Sequence, residues 1–347
     1  MAAFIRDKNA RHNFRNRYKI QSKFRKLRDD NRRIFAENNK LKNELSEIIN
    51  YIWEIERLIL KDSRISPLDQ TSAHKTNQSS MTDYLSIACI AKDEGPYIKE
   101  WIEYHKLVGV DRFYFYDNES SDNTKEILEP YIKDGTVIYH YVEGYFMQCK
   151  CYEDAIFRYK NKTYWLALID MDEFIVPVDR SNLKDLLVEY ESFPGLAVNW
   201  LLFDSNGLEK KPTIDGGLVT ANYTRVRKNY DQQQNRSVKT IHNPRKVVDI
   251  ISAHFAFYIA NESPVTETFK RTRGGIKTDH HSSNKIRINH YFTKSKEEYV
   301  EKIKRNNKGI PLLYDLKDDL LNFNEETTND YVIQRYLPQL KEAMGIK

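Results

Sequence analysis

From residue 84 onward the sequence alternates short apolar runs with helix-patterned segments, and that alternation limits the fold more than any other feature. Residues 84–91 form an apolar run of strand length. Pro96 then opens a stretch in which Ile98, Trp101, Ile102 and His105 recur at helical spacing, with proline in the first turn where its missing N–H is harmless. Residues 112–116 read as a second strand and 122–132 as a helix interrupted or ended near Pro130. A third strand over 136–142, a helix over 152–159 and a fourth strand over 164–169 follow. Short strands separated by helices pair in parallel and need covering on both faces. The expected class is therefore α/β, with a mostly parallel central sheet and helices on both sides. Ligands of such sheets sit beyond the C-terminal strand ends. Asp93, Asp117 and Asp170 all fall just after such ends.

The second half is less regular. Residues 196–202 read as a buried strand, and 295–306 and 329–344 as amphipathic helices. Residues 228–243 are polar and loop-like, which suits a mobile or acceptor-facing segment.

Residues 1–62 are different: highly charged and without Gly or Pro. Phe24, Asn31, Asn38, Leu45, Ile52 and Ile59 make one heptad seam, and Leu27, Ile34, Leu41, Ile48 and Ile55 the other. A stripe of this spacing must be covered by a partner helix. The expectation is a long coiled-coil helix that self-associates, with trimer or tetramer open beside dimer because the second seam is rich in Ile. The alternative is a helix packed on its own domain. Residues 63–81 are polar and aperiodic, a flexible linker, and 82–347 form the globular domain.

Charge follows the same division. Residues 1–42 hold 14 Lys+Arg against 4 Asp+Glu, while the remainder holds 41 against 46. The basic arm suits contact with an anionic membrane face better than with nucleic acid; a solvated helix is the plain alternative. No apolar run approaches a membrane span and no apolar leader is visible, so a cytoplasmic protein is expected, with peripheral contact at the inner face of the membrane as an extension. Cys89, Cys149 and Cys151 are too few and too unevenly placed for a disulfide framework, and a lone C-x-C is weak as a zinc site.

The chemistry concentrates in Asp170-Met171-Asp172-Glu173, directly after the apolar run 164–169. Residues two apart in an extended segment point the same way. Two carboxylates so placed attract a hard divalent cation, which can share its oxygen ligands with a diphosphate. No G-x-G-x-x-G or G-x-x-x-x-G-K-[ST] is present, so dinucleotide-binding and P-loop readings lose their main support. Ser120-Ser121-Asp122 suits capping of the next helix as well as a ligand role.

Several segments together resemble the glycosyltransferase family 2-like and family 92-like group, whose fold is GT-A. They are Ile90-Ala91-Lys92-Asp93-Glu94 with Tyr97 and Glu100-Trp101; Tyr116-Asp117-Asn118 with Ser120 and Asp122; Trp165 through Phe174; Asn199-Trp200 with Phe203; and Ile288 through Ser295. They occur in the family's order across residues 82–304, leaving the N-terminal helix outside.

The resemblance implies a transferase that moves a sugar from a nucleotide-sugar donor, a UDP-sugar first among candidates, to a glycan or lipid-linked acceptor, with inversion. It implies Mn²⁺ or Mg²⁺ on Asp170 and Asp172, with His290 approaching the metal or the diphosphate. Ala91, Lys92, Asp93, Glu94, Asp117, Asn118 and Asp170 would line the nucleotide-sugar pocket. Trp200, Lys239 and His254 would belong to the acceptor or donor pocket; Arg245 matches the same looser pattern. Inversion needs a base for the acceptor hydroxyl, and Glu173 and Asp204 are the candidates. Glu173 could instead orient the metal aspartates. Asp204 stands where family members often carry glycine (Phe203-Asp204-Ser205), so an acceptor pocket narrowed or re-charged at that point is expected. The competing reading is a non-catalytic scaffold, in which a degenerate domain rides on a coiled coil.

Overall fold

The computed structural model describes residues 81–145, 147–272, 276–306 and 318–346. The basic arm, the coiled coil and nearly all of the linker lie outside the described residues. Strand β1 (Asp83–Ala91) is flanked in parallel by β2 (Arg112–Asn118) and β4 (Thr163–Leu168), and β2 by β3 (Val137–Val142). Helices α1 (Gly95–Leu107), α2 (Thr124–Lys133) and α3 (Gln148–Tyr159) link them in chain order. Alternate β1 residues feed two apolar layers. Leu85, Ile87 and Cys89 join the core with α1 and α2, while Ala88 faces α3 through Tyr152 and Ile156. Both faces are thus covered, and β1 is buried nearly throughout.

Four more strands extend the sheet to eight: β5 (Glu173–Pro177), β6 (Gly195–Leu202), β8 (Val238–His242) and β11 (Ile286–His290), in the order β3-β2-β1-β4-β8-β6-β11-β5. Strands β5 and β8 run antiparallel to their neighbours. Outside this sheet, β7 (Arg225–Arg227) pairs with β12 (Thr327–Asn329), and β9 (Val247–Ser252) with β10 (Phe255–Tyr258). The short helices are α4 (Leu183–Leu187), α5 (Val219–Asn222) and α7 (Asp318–Leu321); α6 (Lys296–Asn306) and α8 (Leu337–Met344) complete the set. The expected helix over 329–344 opens as a 3₁₀ segment, Val332–Tyr336, before α8.

Two expectations are corrected. Residues 228–243 are not all loop: Val238–His242 is the central strand β8, buried at every position. Its Lys, Thr and His hid it from a hydropathy reading, and burial is tolerable because the Lys239 ammonium meets carboxylates inside. Helix α2 does not stop at Pro130 but runs on to Lys133. Pro130 and Glu126 are both exposed, so the carbonyl deprived of its partner can turn to water.

Strand β5 lies at the sheet edge, where unpaired backbone groups need cover. Helix α1 supplies it. Trp101 Nε1 donates to Glu173 O at 2.8 Å, Tyr104 OH donates to Ile175 O at 3.1 Å, and His105 Nε2 accepts from Ile175 N at 3.2 Å. Spacings of three and four residues put these side chains on one helix face. The segment that begins with Glu173 is therefore fixed from both sides.

Candidate active site

Ala91 registers with Asp117, so β1 and β2 end together, while β4 stops at Leu168 opposite Ala88 and leaves Asp170 on the chain that follows, with β1 between the other two. A cleft of about 540 Å³ opens beyond these ends, and Ala91, Lys92, Glu94, Asn118, Asp170 and Asp172 line it. Strand β8 runs downward from the same rim, which brings Lys239 to Asp170 from the opposite chain direction. On the far side, β11 pairs with β5 so that His290 stands opposite Glu173, and Tyr291 N donates to Asp172 O at 2.9 Å. Trp200, at the end of β6, and His254, between β9 and β10, complete that wall.

The two aspartates sit in unlike surroundings. Asp170 Oδ1 accepts from Gln148 Nε2 at 2.7 Å and from Tyr152 OH at 2.8 Å, and Oδ2 accepts from Lys239 Nζ at 2.9 Å. Asp172 Oδ2 accepts from Lys302 Nζ and lies 3.5 Å from His290 Nε2. Burial works against ionisation of both. At Asp170 the Lys239 ammonium overrides it and holds the carboxyl below the usual range. At Asp172 the Lys302 ammonium does so, aided by His290, and holds it well below that range. Both are carboxylates at neutral pH.

Glu173 does not reach the cleft. It is fully buried, and its Oε2 accepts from Asp170 N at 2.8 Å and lies 3.5 Å from Lys239 Nζ. Burial, opposed by Lys239 and reinforced by Asp170 and Asp172, pushes its carboxyl up to about 8. Its contacts suit holding the Asp170 backbone rather than taking an acceptor proton. Asp204 is also fully buried and outside the cleft lining. Arg225 Nε contacts both of its oxygens at 2.8 Å, and the backbone N–H groups of Asn206 and Phe323 donate to it.

Asp93 and Asp117 fasten the loops that support the cleft and are not among its lining side chains. Asp93 has φ 53°, and its Oδ1 accepts from Ser121 N and Oγ; Asp93 N donates to Ser120 Oγ. Asp117 Oδ1 accepts from Ser120 N and Oδ2 from Tyr139 OH. Asp122 bridges Gly95 N and Thr124 N. Lys92 Nζ donates to Asn118 O, and the Asn118 amide donates to Val142 O and Gly144 O, so these two residues line the cleft while pinning its rim. Arg245, from the looser basic pattern, stacks on Tyr164 and does not line the cleft.

His254 is oriented by its backbone contact. Nδ1 lies 2.8 Å from Val238 O, so it carries the proton and leaves Nε2 as an acceptor. Burial and Lys239 lower its pKa from the usual 6.5. Its ring meets Trp200 edge-on at 5.3 Å, and Trp200 packs on His290 at 4.4 Å.

Among the described residues, no three His, Cys, Asp or Glu side chains close into a ready metal cluster. The donor types nevertheless fit a hard cation. Two carboxylates and an imidazole line one cleft, and the 3.5 Å between His290 Nε2 and Asp172 Oδ2 is long for a hydrogen bond but short enough for two ligands of one ion. The buried Nδ1 of His290 has no partner among the described residues.

Sequence reasoning missed Gln148, Tyr152 and Lys302. The first two start an unremarkable helix, and Lys302 lies 130 residues from the aspartate it contacts. Spacing gives no sign of such pairs.

A sequence profile of glycosyltransferase family 92 matches residues 87–342, most of the chain. This chain belongs to glycosyltransferase family 92. Other family 92 proteins similar to it include one from Oryza sativa subsp. japonica, 25% identical over 141 residues (40% of this chain, 24% of that one), and one from Ricinus communis, 30% identical over 152 residues (40% and 26%). A galactan β-1,4-galactosyltransferase of Arabidopsis thaliana is 27% identical over 118 residues, covering 31% and 23% of the two chains. The chain thus spans about a quarter of the length of these curated relatives. Among solved structures, S. aureus TarS 1–349 aligns over 75% of this chain and 73% of its own, with TM-score 0.34 and 14% identity. In this family 92 member, no helix among the described residues is long and apolar enough to cross a membrane. Cys89, Cys149 and Cys151 are free thiols, the first and last buried.

Proposed function

We propose that this family 92 chain transfers a sugar from a nucleoside-diphosphate donor to a hydroxyl of a glycan or lipid-linked acceptor, with Mn²⁺ or Mg²⁺ held by Asp170, Asp172 and His290. One observation carries the reading: two ionised carboxylates and an imidazole share a cleft of about 540 Å³ at the strand ends. When bound, the cation would neutralise charge developing on the leaving diphosphate. Lys92 and Asn118, on the β1 and β2 side of the cleft, suit the nucleotide end. Trp200 and His254, on the other wall, suit the sugar and the acceptor.

His254 takes the place of base that Glu173 and Asp204 are badly placed to fill. Val238 O holds Nδ1–H and leaves Nε2 to accept the acceptor's hydroxyl proton. The freed oxygen forms its bond to the anomeric carbon as the bond from that carbon to the diphosphate breaks, and the diphosphate leaves with the electron pair. Direct displacement of this kind inverts the anomeric centre. Lys239 and Glu173 act as positioning residues, fixing Asp170 from beneath.

The likeness to a galactan β-1,4-galactosyltransferase makes UDP-galactose the first donor to test. The test is release of nucleoside diphosphate from a panel of nucleotide sugars in Mn²⁺. Turnover of at least one donor, abolished by EDTA and by Asp170→Asn, is expected. No turnover with any donor would favour the scaffold reading, and full activity of Asp170→Asn would refute the metal assignment.

A further inference from the structure

Lys302 projects from α6 into the cleft. Its Nζ donates to Asp172 Oδ2 and, at 3.1 Å, to Phe292 O. The ammonium also lies 3.9 Å from the Phe292 ring centroid. The side chain is 20% exposed, so it is seated but not sealed in. The oxygen it holds, Asp172 Oδ2, is the one that also faces His290 Nε2.

The two lysines that contact the aspartates differ in a way that matters. Lys239 is almost fully buried between Asp170 and Glu173 and has no room to leave. Lys302 is held by one carboxylate oxygen, one carbonyl and an aromatic face, all at the cleft wall. A lysine is a compact charge on a flexible stem. With its ammonium over the Phe292 ring at the cleft wall, it can exchange Asp172 for another anion in the same cleft without moving α6.

We infer that Lys302 is a resident counter-ion of Asp172 that competes with the divalent cation and, once displaced, binds the donor diphosphate. The inference rests on the metal and nucleotide reading given above and adds a residue to it. A divalent ion held by Asp172 and His290 would compete with the Lys302 ammonium for the carboxylate oxygen that faces the imidazole. Even an ion on Oδ1 would feel the nearby ammonium as a like charge. The displaced ammonium then faces a site that gains negative charge with the diphosphate. Lys302 thus weakens metal binding in the absence of nucleotide and strengthens nucleotide binding in the presence of metal.

Those opposite signs make the test. Mn²⁺ binding to the full chain, read by electron paramagnetic resonance without nucleotide, is compared for wild type, Lys302→Met and Lys302→Arg. UDP binding in saturating Mn²⁺ is read by calorimetry on the same proteins. Lys302→Met is expected to bind Mn²⁺ about tenfold more tightly and UDP about tenfold more weakly. Lys302→Arg keeps the charge, so UDP affinity stays near wild type and Mn²⁺ binding does not tighten. If Lys302→Met fails to fold, Lys302→Gln is measured in its place. Mn²⁺ affinity unchanged or weakened in the neutral variant, or UDP affinity unchanged, overturns the inference. Failure of the wild type to bind UDP in Mn²⁺ would instead overturn the metal and nucleotide reading beneath it.

Discussion

Replacing Lys239 with methionine probes the support beneath Asp170. Lys239 is 1% exposed, with its ammonium 2.9 Å from Asp170 Oδ2 and 3.5 Å from Glu173 Oε2. Removing one partner of a buried ion pair costs roughly 3–5 kcal/mol, because the other charge is stranded. Here two acidic side chains would be left, but each has some relief. Glu173 already holds its proton up to about pH 8 and would do so more firmly without the ammonium. The Asp170 carboxylate keeps its bonds from Gln148 and Tyr152 and lines an open cleft. Methionine fills much of the lysine stem's volume, so cavity formation adds little. The loss should therefore fall at the lower end, about 3 kcal/mol. Urea unfolding of the full chain followed by far-ultraviolet circular dichroism measures it, as a lower midpoint at unchanged slope. A loss below about 1 kcal/mol would refute this electrostatic account.

Other outcomes follow from the same geometry. His105 donates Nδ1–H to Trp101 O and accepts Ile175 N–H on Nε2, and burial lowers its pKa to about 3. Protonation would set Nε2–H against an N–H, so its contribution to stability is full above the unfolded value of 6.5 and lost as pH falls from there towards 3. Between pH 7 and pH 5 the wild type should lose about 2 kcal/mol relative to His105→Gln in urea titrations. His254 is also held below 6.5, so the acid limb of kcat/KM should lie below pH 6.5; His254→Gln should lower kcat about a hundredfold and remove that limb. A methyl group at Gly95 would come within 2.8 Å of Asp122 Oδ2, the atom that accepts Gly95 N–H. Gly95→Ala should therefore cost about 1–3 kcal/mol in thermal unfolding and weaken nucleotide binding through the loosened rim.

The parallel half of the sheet was legible because its signals are local. Apolar runs marked β1 to β4, and Ile98, Trp101, Ile102 and His105 marked the buried face of α1. The acidic pair after β4 could be placed at a strand end for the same reason. Strand β8 was hidden because its second residue is Lys239, and a buried lysine is intelligible only when Asp170 and Glu173 are known to face it. The carboxylates at the first two strand ends have contacts that their position alone does not reveal. Asp93 and Asp117 stand where ligand-binding acids stand, and Asp93 Oδ1 also accepts from Ser121 while Asp117 accepts from Ser120 and Tyr139. Glu173 could be either base or support on sequence alone, and its complete burial on the Asp170 N–H favours support. His290 reached the site through the register of β11 with β5, a pairing more than a hundred residues apart that its own motif only suggested.

The proposed function requires the cleft to bind a nucleoside diphosphate through a divalent ion held by the two aspartates. Calorimetric titration of UDP into the full chain tests it most directly, with Mn²⁺, with EDTA, and with Asp172→Asn in Mn²⁺. Saturable binding in Mn²⁺ is expected, lost in EDTA and weakened at least tenfold by Asp172→Asn. Equal affinity in all three titrations, or no binding in any, would contradict it.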